Sequence, residues 1–310
     1  MFSVKESLMK WYEAVVNEKD VGKRLDKYLK DNLSIPFDGI QRLIRKRLVR
    51  IDGGKACAAD RLNAGQSVSL PMLLISDREA DSPRQDPCLA QKLLSLIIHE
   101  NSELIVINKP GGLPVQSGSK VGLCLDDMLT SYNEQYNVSL KLVHRLDKPA
   151  SGALVVAKGR KPASALTRFF KEKAVRKLYW AIIEGVPKEI EGIIDIPIAK
   201  KLVGSKELMV EDRGSLGLQA TTKFKVLQIL DNSRTWLALE PITGRTHQLR
   251  IHCAAMGMPI VGDLKYGSKT KMPICLHSRR ISASGWFDVL AKAPSHFMIN
   301  SEAKDSDSFI

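Results

Sequence analysis

Apolar residues recur along the chain with two different spacings, one typical of helices and one typical of strands. In the N-terminal part, helical spacing predicts two apolar faces, formed by Leu25, Tyr28 and Leu29 and by Ile40, Leu43, Ile44 and Leu48. Residues 49–55 then predict a strand that enters a tight turn at Asp52-Gly53, a dipeptide typical of two-residue hairpins. With a closing strand over 65–71, these elements predict a compact domain over residues 14–73, after a short amphipathic lead-in.

The pattern changes after this domain. Residues 74–96 begin with a polar, proline-containing stretch and are predicted to be a linker. A larger domain is predicted over residues 97–291, and the polar tail 292–310 is expected to be disordered.

Strands and helices are interspersed in the larger domain. Strands are predicted at 104–107, 177–183, 220–230 and 235–242. Helices are predicted over 161–173, with Ala163, Leu166 and Phe170 facing inward, and over 246–256, where Gly257 stops the helix. Residues 200–217 are charged and contain glycine, which predicts an exposed connection. This succession predicts an α+β fold.

Charge points to a polyanionic partner. The chain has 310 residues and a formal net charge of +13, and no apolar run is long enough to span a bilayer. Positive charge is clustered in residues 21–50, where nine Lys and Arg face three acids. The second predicted helix carries four cations and no acid, namely Arg42, Arg45, Lys46 and Arg47. An ordinary solvated face is the plain alternative, but this clustering favours a surface that follows a phosphate backbone.

The five cysteines, Cys57, Cys88, Cys124, Cys253 and Cys275, are scattered, without metal-binding spacing. They indicate reduced thiols of a cytoplasmic protein.

A turn at residues 144–151 places a carboxylate, Asp147, between two cations, Arg145 and Lys148, just ahead of an apolar strand. Loops supported by a rigid strand often carry catalytic groups. Cations favour the ionised carboxylate, which suits a nucleophile or a charge stabiliser better than a general base. For a random Asp, a weak surface ion pair would be the more frequent arrangement.

Two further segments carry candidate chemistry. Tyr179 leads a predicted strand, where a ring either packs in the core or offers a stacking surface to a displaced base. Residues 243–252 contain a glycine turn that leads into a helix with Arg245 and Arg250. Arg245 and the helix N-terminus are suited to phosphate, and Arg250 to bidentate pairing with a carboxylate.

Metal binding is not expected. His247 and His252 are five residues apart, which does not place two ligands on one helix face, so hydrogen-bonded structural histidines are favoured. The sequence also lacks a phosphate-binding P-loop, a dinucleotide fingerprint and a serine-hydrolase elbow.

Together the motifs of residues 97–290 resemble the RluA family of pseudouridine synthases. Four ordered blocks and one further short block carry the resemblance: Asn108-Lys109-Pro110 with Gly112-Leu113; His144-Arg145-Leu146-Asp147 with Ser151-Gly152; Tyr179; Thr243 to His252 followed by Gly257, Pro259-Ile260 and Gly262-Asp263; and Leu276-His277. The N-terminal unit is similar to an S4 RNA-binding domain, through Arg24-Leu25-Asp26 and Leu48 to Gly53.

The resemblance implies a mixed, mostly antiparallel sheet in the catalytic domain and a set of residue roles. Asp147 would be the nucleophile, attacking either the ribose C1′ or the uracil C6. Tyr179 would stack on the target base and serve as a possible proton acceptor, and Arg250 would pair with Asp147. Arg145 would help to displace the nucleotide into the pocket. Contacts with RNA are also expected from His144, Arg245 and Lys109.

The resemblance implies no metal and no cofactor. Ribosomal RNA of the large subunit is the expected substrate, bound by a monomer. Residues 200–217 resemble those of members that modify several separate large-subunit uridines. Two alternatives stay open at this point: a member that acts on transfer RNA, and a non-catalytic assembly factor that uses the S4-like unit.

Overall fold

A computed structural model describes residues 11–33, 37–71, 87–116, 122–203, 206–214 and 216–297. The chain divides into two compact units, one on each side of residue 84, called here the N-terminal and C-terminal units. In the described ranges, no helix combines the length and the apolar character needed to cross a membrane.

The N-terminal unit is a four-stranded antiparallel sheet with two helices. Its elements are β1 (Trp11–Val15), α1 (Leu25–Asn32), α2 (Phe37–Arg45), β2 (Arg50–Ile51), β3 (Gly54–Lys55) and β4 (Ser67–Pro71), with strand order β1-β4-β2-β3. The predicted apolar faces pack into one core that includes Leu25, Leu29 and Ile40. Positive φ angles at Asp52 (48°) and Gly53 (75°) confirm the predicted hairpin turn.

Helix α2 is shorter than the sequence indicates. It ends at Arg45 rather than near Leu48, and Arg47 beyond it adopts a left-handed φ of 58°. Lys46 and Arg47 are exposed, whereas the side chains of Arg42 and Arg45 lie outside the described part. Whether this surface follows a phosphate backbone stays a prediction.

The C-terminal unit is built on a large mixed sheet. Its strands are β5 (Ile97–Glu100), β6 (Leu104–Lys109), β7 (Leu140–Leu142), β8 (Ser151–Lys158), β9 (Val175–Glu184), β10 (Glu191–Asp195), β11 (Ile198–Val203), β12 (Lys206–Glu211), β13 (Thr221–Asp231), β14 (Arg234–Pro241), β15 (Leu276–Ala283) and β16 (Phe287–Leu290). Its helices are α3 (Pro87–Leu96), α4 (Leu125–Tyr136), α5 (Arg160–Lys171) and α6 (Gln248–Ala255).

Ten of these strands join in one sheet. Eight follow the order β10-β13-β14-β9-β15-β8-β6-β5, while β16 pairs with β15 and β7 with β8. Among the described strands the β8–β15 pairing is parallel and the others are antiparallel, which confirms the expected α+β class with a mostly antiparallel sheet. Strand β8 is buried along almost its whole length, because other elements cover both of its faces.

Close approach at the β8–β15 pairing depends on a glycine. Gly152 has a φ of +113°, and a Cβ built there would overlap the backbone of Ser278. Beside it, buried His277 accepts a hydrogen bond at Nδ1 from the Ser151 hydroxyl (2.9 Å) and donates through Nε2 to the Ala291 carbonyl oxygen (3.1 Å). These contacts fix the start of β8, immediately after the turn that carries Asp147.

Three boundaries differ from the sequence predictions. Residues 87–96 are not linker but form α3, whose Leu93 is fully buried against the sheet. Within the region predicted to be an exposed connection, residues 198–203 and 206–211 pair as the antiparallel strands β11 and β12. The domain also extends beyond Ala291, because Phe297 is buried next to His277 and Trp180. The polar composition of these segments made their few anchoring apolar residues, such as Leu93 and Phe297, hard to recognise in the sequence.

We predict that folding stability falls as the pH drops from 7 to 5, partly through His277. Burial lowers the pKa of His277 to about 4 from its ordinary value of 6.5, so the unfolded chain takes up a proton that the folded chain refuses. This group alone removes about 2 kcal/mol over that range. The measurement is the free energy of unfolding by denaturant at several pH values.

In this experiment His277→Asn should lower stability at pH 7 but decline less steeply toward pH 5. Phe297→Leu is the control, since it loosens packing against the same ring without removing the titrating group. Phe297→Leu should lower the free energy of unfolding at every pH without changing how steeply it depends on pH. Equal slopes for His277→Asn and the wild type would contradict the assignment.

Candidate active site

A cleft of about 610 Å³ opens on one face of the C-terminal unit. Its wall combines the turn at residues 144–150, the end of α5, the start of β9 and the segment 240–250. Six residues expected at the site lie around it: His144, Arg145, Asp147, Tyr179, Arg245 and Arg250. The three separate sequence segments are therefore brought together.

The turn carrying Asp147 is held from several sides. His144 accepts a hydrogen bond at Nε2 from the Val155 amide (2.8 Å), and its ring stacks on Phe170. Burial, with a contribution from nearby Lys177, lowers the pKa of His144 to about 3, so the ring is neutral. Because its acceptor nitrogen is used within the protein, His144 holds the turn, and its contact with RNA stays a prediction.

Lys109 also has a structural position. It is fully buried, and its Nζ donates to the carbonyl oxygens of Pro110 (2.9 Å), Leu113 (2.9 Å) and Lys148 (3.3 Å). Burial lowers its pKa to about 8, although the Asp147 carboxylate opposes this shift. The ammonium therefore ties the loop after β6 to the turn of Asp147 and is not available for the RNA contact expected from the sequence.

The cation that faces Asp147 is not one of its sequence neighbours. In the described ranges neither Arg145 nor Lys148 forms an ion pair with Asp147, and both are exposed. The partner is Arg250, whose Nη1 lies 3.4 Å from Asp147 Oδ2, while His247 Nε2 lies 3.9 Å from the same oxygen. The Asp147 side chain remains 17% exposed and faces the cleft.

Arg250 makes its strongest contacts with a different carboxylate. Its Nε and Nη2 donate to Asp263 Oδ2 and Oδ1, both at 2.7 Å, and both side chains are almost fully buried. Burial alone would lower the pKa of Arg250, but the bonds to Asp263 and the charge of Asp147 raise it. The bidentate partner of Arg250 is thus Asp263, and Asp147 receives one longer bond from the same guanidinium.

Tyr179 lines the cleft from the central strand β9. Burial raises the pKa of its hydroxyl, and the negative charge of Asp147 raises it further. The hydroxyl is therefore protonated at neutral pH, which disfavours a role as proton acceptor in the free protein. Its side chain is partly buried, and stacking of its ring on a base stays a prediction.

A buried amide shapes the turn before α6. Gln248 Oε1 accepts from the Thr243 hydroxyl (2.7 Å) and the Arg245 amide (3.0 Å), while its Nε2 donates to Thr221 O (3.0 Å) and Thr222 Oγ1 (2.9 Å). The helix begins at Gln248, later than predicted, because His247 has a left-handed φ of 57°. Arg245 stays exposed at the cleft, its Nε donating to the Gln219 carbonyl oxygen.

The two histidines of this segment differ. His252 is fully buried and hydrogen-bonded at both ring nitrogens, to Thr222 and to the Ile196 carbonyl oxygen, as the sequence favoured. His247 is half-buried, and its Nδ1 lies 2.6 Å from the hydroxyl of Tyr266, which also donates to the Met209 carbonyl oxygen. Tyr266 in addition covers the Arg250 guanidinium at 4.9 Å.

The sequence interpretation missed the functions of Asp263, Gln248 and Tyr266. Asp263 and Gln248 stand inside the quoted blocks, but nothing in a single chain says which carboxylate an arginine will choose. Tyr266 carries no spacing signal, because its contacts come from three distant segments.

Comparisons with known proteins agree with this arrangement. Residues 103–255 match the family model described as RNA pseudouridylate synthase. A ribosomal large subunit pseudouridine synthase C of Rickettsia felis is 37% identical over 281 residues, covering 85% of this chain and 89% of the relative. The protein of that name from Vibrio parahaemolyticus is 33% identical over 256 residues, covering 82% and 79%.

A solved structure supports the fold of the C-terminal unit. Human RNA Pseudouridylate Synthase Domain Containing 4 is 31% identical, with a TM-score of 0.59, and the match covers 68% of this chain and 93% of the human chain. Sequence blocks, sheet topology and relatives point the same way: the chain belongs to the RNA pseudouridylate synthase family and is a pseudouridine synthase.

Proposed function

We propose that this enzyme isomerises uridines of large-subunit ribosomal RNA to pseudouridines, with Asp147 as the nucleophile. The observation that carries the proposal is the position of Asp147. Its carboxylate lies in the same cleft as Tyr179 and receives one hydrogen bond from Arg250, which Asp263 holds in place. Relatives that match most of the chain are named for the large ribosomal subunit, which supports this substrate.

The reaction breaks the bond between uracil N1 and ribose C1′ and forms a bond from uracil C5 to C1′. The proton on C5 is released to solvent and N1 takes up a proton, so that the product is an isomer of uridine. Asp147 would form a transient bond either to C1′ or to C6, and both routes need the ionised carboxylate. Arg250 stabilises that charge through one hydrogen bond of 3.4 Å, which leaves oxygen lone pairs free to attack.

The other cleft residues have consistent roles. Tyr179 would stack on the uracil, and Arg145, exposed at the mouth of the cleft, would hold the nucleotide outside the RNA stack. Arg245 would bind a backbone phosphate. None of these steps requires a metal or an organic cofactor.

The N-terminal unit would bind the RNA in the manner of an S4 domain, through the basic surface around α2. We further propose a cytoplasmic enzyme that acts as a monomer. Scattered cysteines, none of which forms a disulfide among the described residues, suit a reducing compartment.

Asp147→Asn is predicted to reduce isomerisation by about 10³-fold or more, because the amide cannot act as a nucleophile. The assay is tritium release from ribosomal RNA labelled at uridine C5, with filter binding of the same RNA, which should be unchanged. Glu134→Gln makes the same carboxylate-to-amide exchange on the exposed surface of α4 and should keep full activity. Tritium release by Asp147→Asn at the wild-type rate would refute the assignment of the nucleophile. Tritium release by the wild type from transfer RNA but not from ribosomal RNA would show that transfer RNA is the substrate.

Asp263→Asn is predicted to lower the maximal rate about 10–100-fold and the free energy of unfolding by about 3 kcal/mol, since it leaves a buried guanidinium without its bidentate partner. A double variant, Arg250→Leu with Asp263→Leu, should recover much of the stability but remain inactive. Recovered stability without recovered activity would show that the loss of activity does not come from unfolding. Wild-type activity in a well-folded Asp263→Asn protein would show that Asp263 does not position Arg250 for the reaction.

The triple variant Arg42→Gln, Arg45→Gln and Arg47→Gln removes positive charge in and directly after α2. It is predicted to weaken binding to RNA of any sequence. The slope of log affinity against log salt should fall by about one for each lost phosphate contact. The same charge loss at exposed residues outside the cleft lining, Arg160, Lys161 and Lys188, serves as the control. If both triple variants change the slope equally, the α2 surface is an ordinary solvated face.

A further inference from the structure

Lys177 lines the same cleft but has no part in the roles described above. It stands two residues before Tyr179 on β9, and alternation along a strand places both side chains on one face of the sheet. The register irregularity at this point belongs to the partner strand β15, so the alternation of β9 is intact. Lys177 is therefore directed toward the cleft on the same face as Tyr179.

The Lys177 ammonium lies next to the turn before α6. A Cβ built on Gly244 would lie 3.9 Å from Lys177 Nζ. The residue after Gly244 is Arg245, whose guanidinium is exposed at the cleft. A glycine at this point leaves the space beside the ammonium free of side-chain atoms.

Lys177 is half-buried, yet within the described ranges it has no hydrogen bond and no ion pair. Neighbouring cations differ in this respect. Arg250 is held by Asp263, and Arg176 lies 3.5 Å from Glu240. Burial lowers the pKa of Lys177, with no nearby carboxylate to oppose the shift. An ammonium kept partly away from water without a partner is destabilising, so its retention calls for a ligand.

We infer that Lys177 binds a phosphate group of the displaced nucleotide, between its ammonium and the turn at Gly244-Arg245. The inference rests on the proposed function, because RNA supplies the anion. A nucleotide turned into the cleft brings its own phosphates with it. A phosphate oxygen satisfies an ammonium as a point charge, and Arg245 on the adjacent turn would share the group.

Phosphate fits this position better than the uracil ring does. Tyr179 and His144, which line the same cleft, are both neutral, because burial raises the pKa of Tyr179 and lowers that of His144. An unpaired full charge gains more from a phosphate than from a uracil carbonyl oxygen, since hydrogen bonds between charged groups are roughly twice as strong as neutral ones. Lys177 is thus a substrate-binding residue rather than a participant in bond making.

The test compares Lys177→Met, Lys177→Arg and Lys161→Met in the full-length enzyme. Single-turnover tritium release from C5-labelled ribosomal RNA is measured against enzyme concentration at several salt concentrations. Lys177→Met should raise the half-saturating concentration about tenfold, reduce the salt slope by about one, and keep the maximal rate within about threefold. Lys177→Arg should recover most of the affinity. Lys161→Met removes an exposed charge outside the cleft lining and should change little.

Thermal unfolding supplies a second readout. Removing an unpaired, half-buried ammonium should leave the melting temperature of Lys177→Met equal to that of the wild type or higher. A lower melting temperature would mark Lys177 as structural, and a lower maximal rate with unchanged half-saturation would place it in the chemistry. Either result overturns the inference. If the wild type itself releases no tritium, the proposed function fails, while the salt slope of RNA binding still tests Lys177.

Discussion

The chemistry of this site depends on how one buried guanidinium is divided between two carboxylates. Asp263 takes two short hydrogen bonds from Arg250, and Asp147 takes one longer bond. The division matters because a carboxylate held by a tight bidentate pair has few free lone pairs and a stabilised charge. In the proposed mechanism, Asp263 fixes Arg250, so that Arg250 can neutralise Asp147 while leaving it able to attack. A nucleophile paired directly and symmetrically with the arginine would be less reactive.

The surrounding scaffold makes this geometry rigid. Asp147 stands on a turn whose one end continues into β8, the strand that pairs in parallel with β15 through the close approach of Gly152. On the other side, Lys109 ties the turn to the loop after β6 through the carbonyl oxygen of Lys148, and His144 holds the turn through the backbone amide of Val155. Polar residues of the sequence motifs, such as His144 and Lys109, therefore serve largely to hold the backbone of the site, and few of them are directed at the substrate.

The sequence was sufficient for those features that depend on local pattern. The hairpin at Asp52-Gly53, the inward face of α5 and the gathering of Asp147, Tyr179 and Arg250 all follow from spacing or from ordered motif blocks. It was insufficient where a residue chooses among distant partners. The preference of Arg250 for Asp263, the burial of Lys109 and the packing of Phe297 are decided by tertiary contacts that a single chain does not reveal. The proline-containing stretch before α3 likewise led the sequence analysis to assign a linker where a helix forms, because the packing of Leu93 that anchors this helix is a tertiary contact.

The cations of the C-terminal unit fall into two groups with different physical consequences. Arg250 and Lys109 are buried and each donates three hydrogen bonds within the described residues, so their charge supports the fold and does not depend on RNA. Arg145 and Arg245 are exposed, and water can solvate them until a phosphate arrives. Lys177 fits neither group, since it is withdrawn from water and has no acceptor among the described residues. In the proposed role of Lys177, the free energy lost by withdrawing the ammonium from water is recovered when a phosphate binds, so that binding would depend on a nucleotide that has left the RNA stack. Such a residue would discriminate a displaced nucleotide from RNA that merely lies on the basic surface.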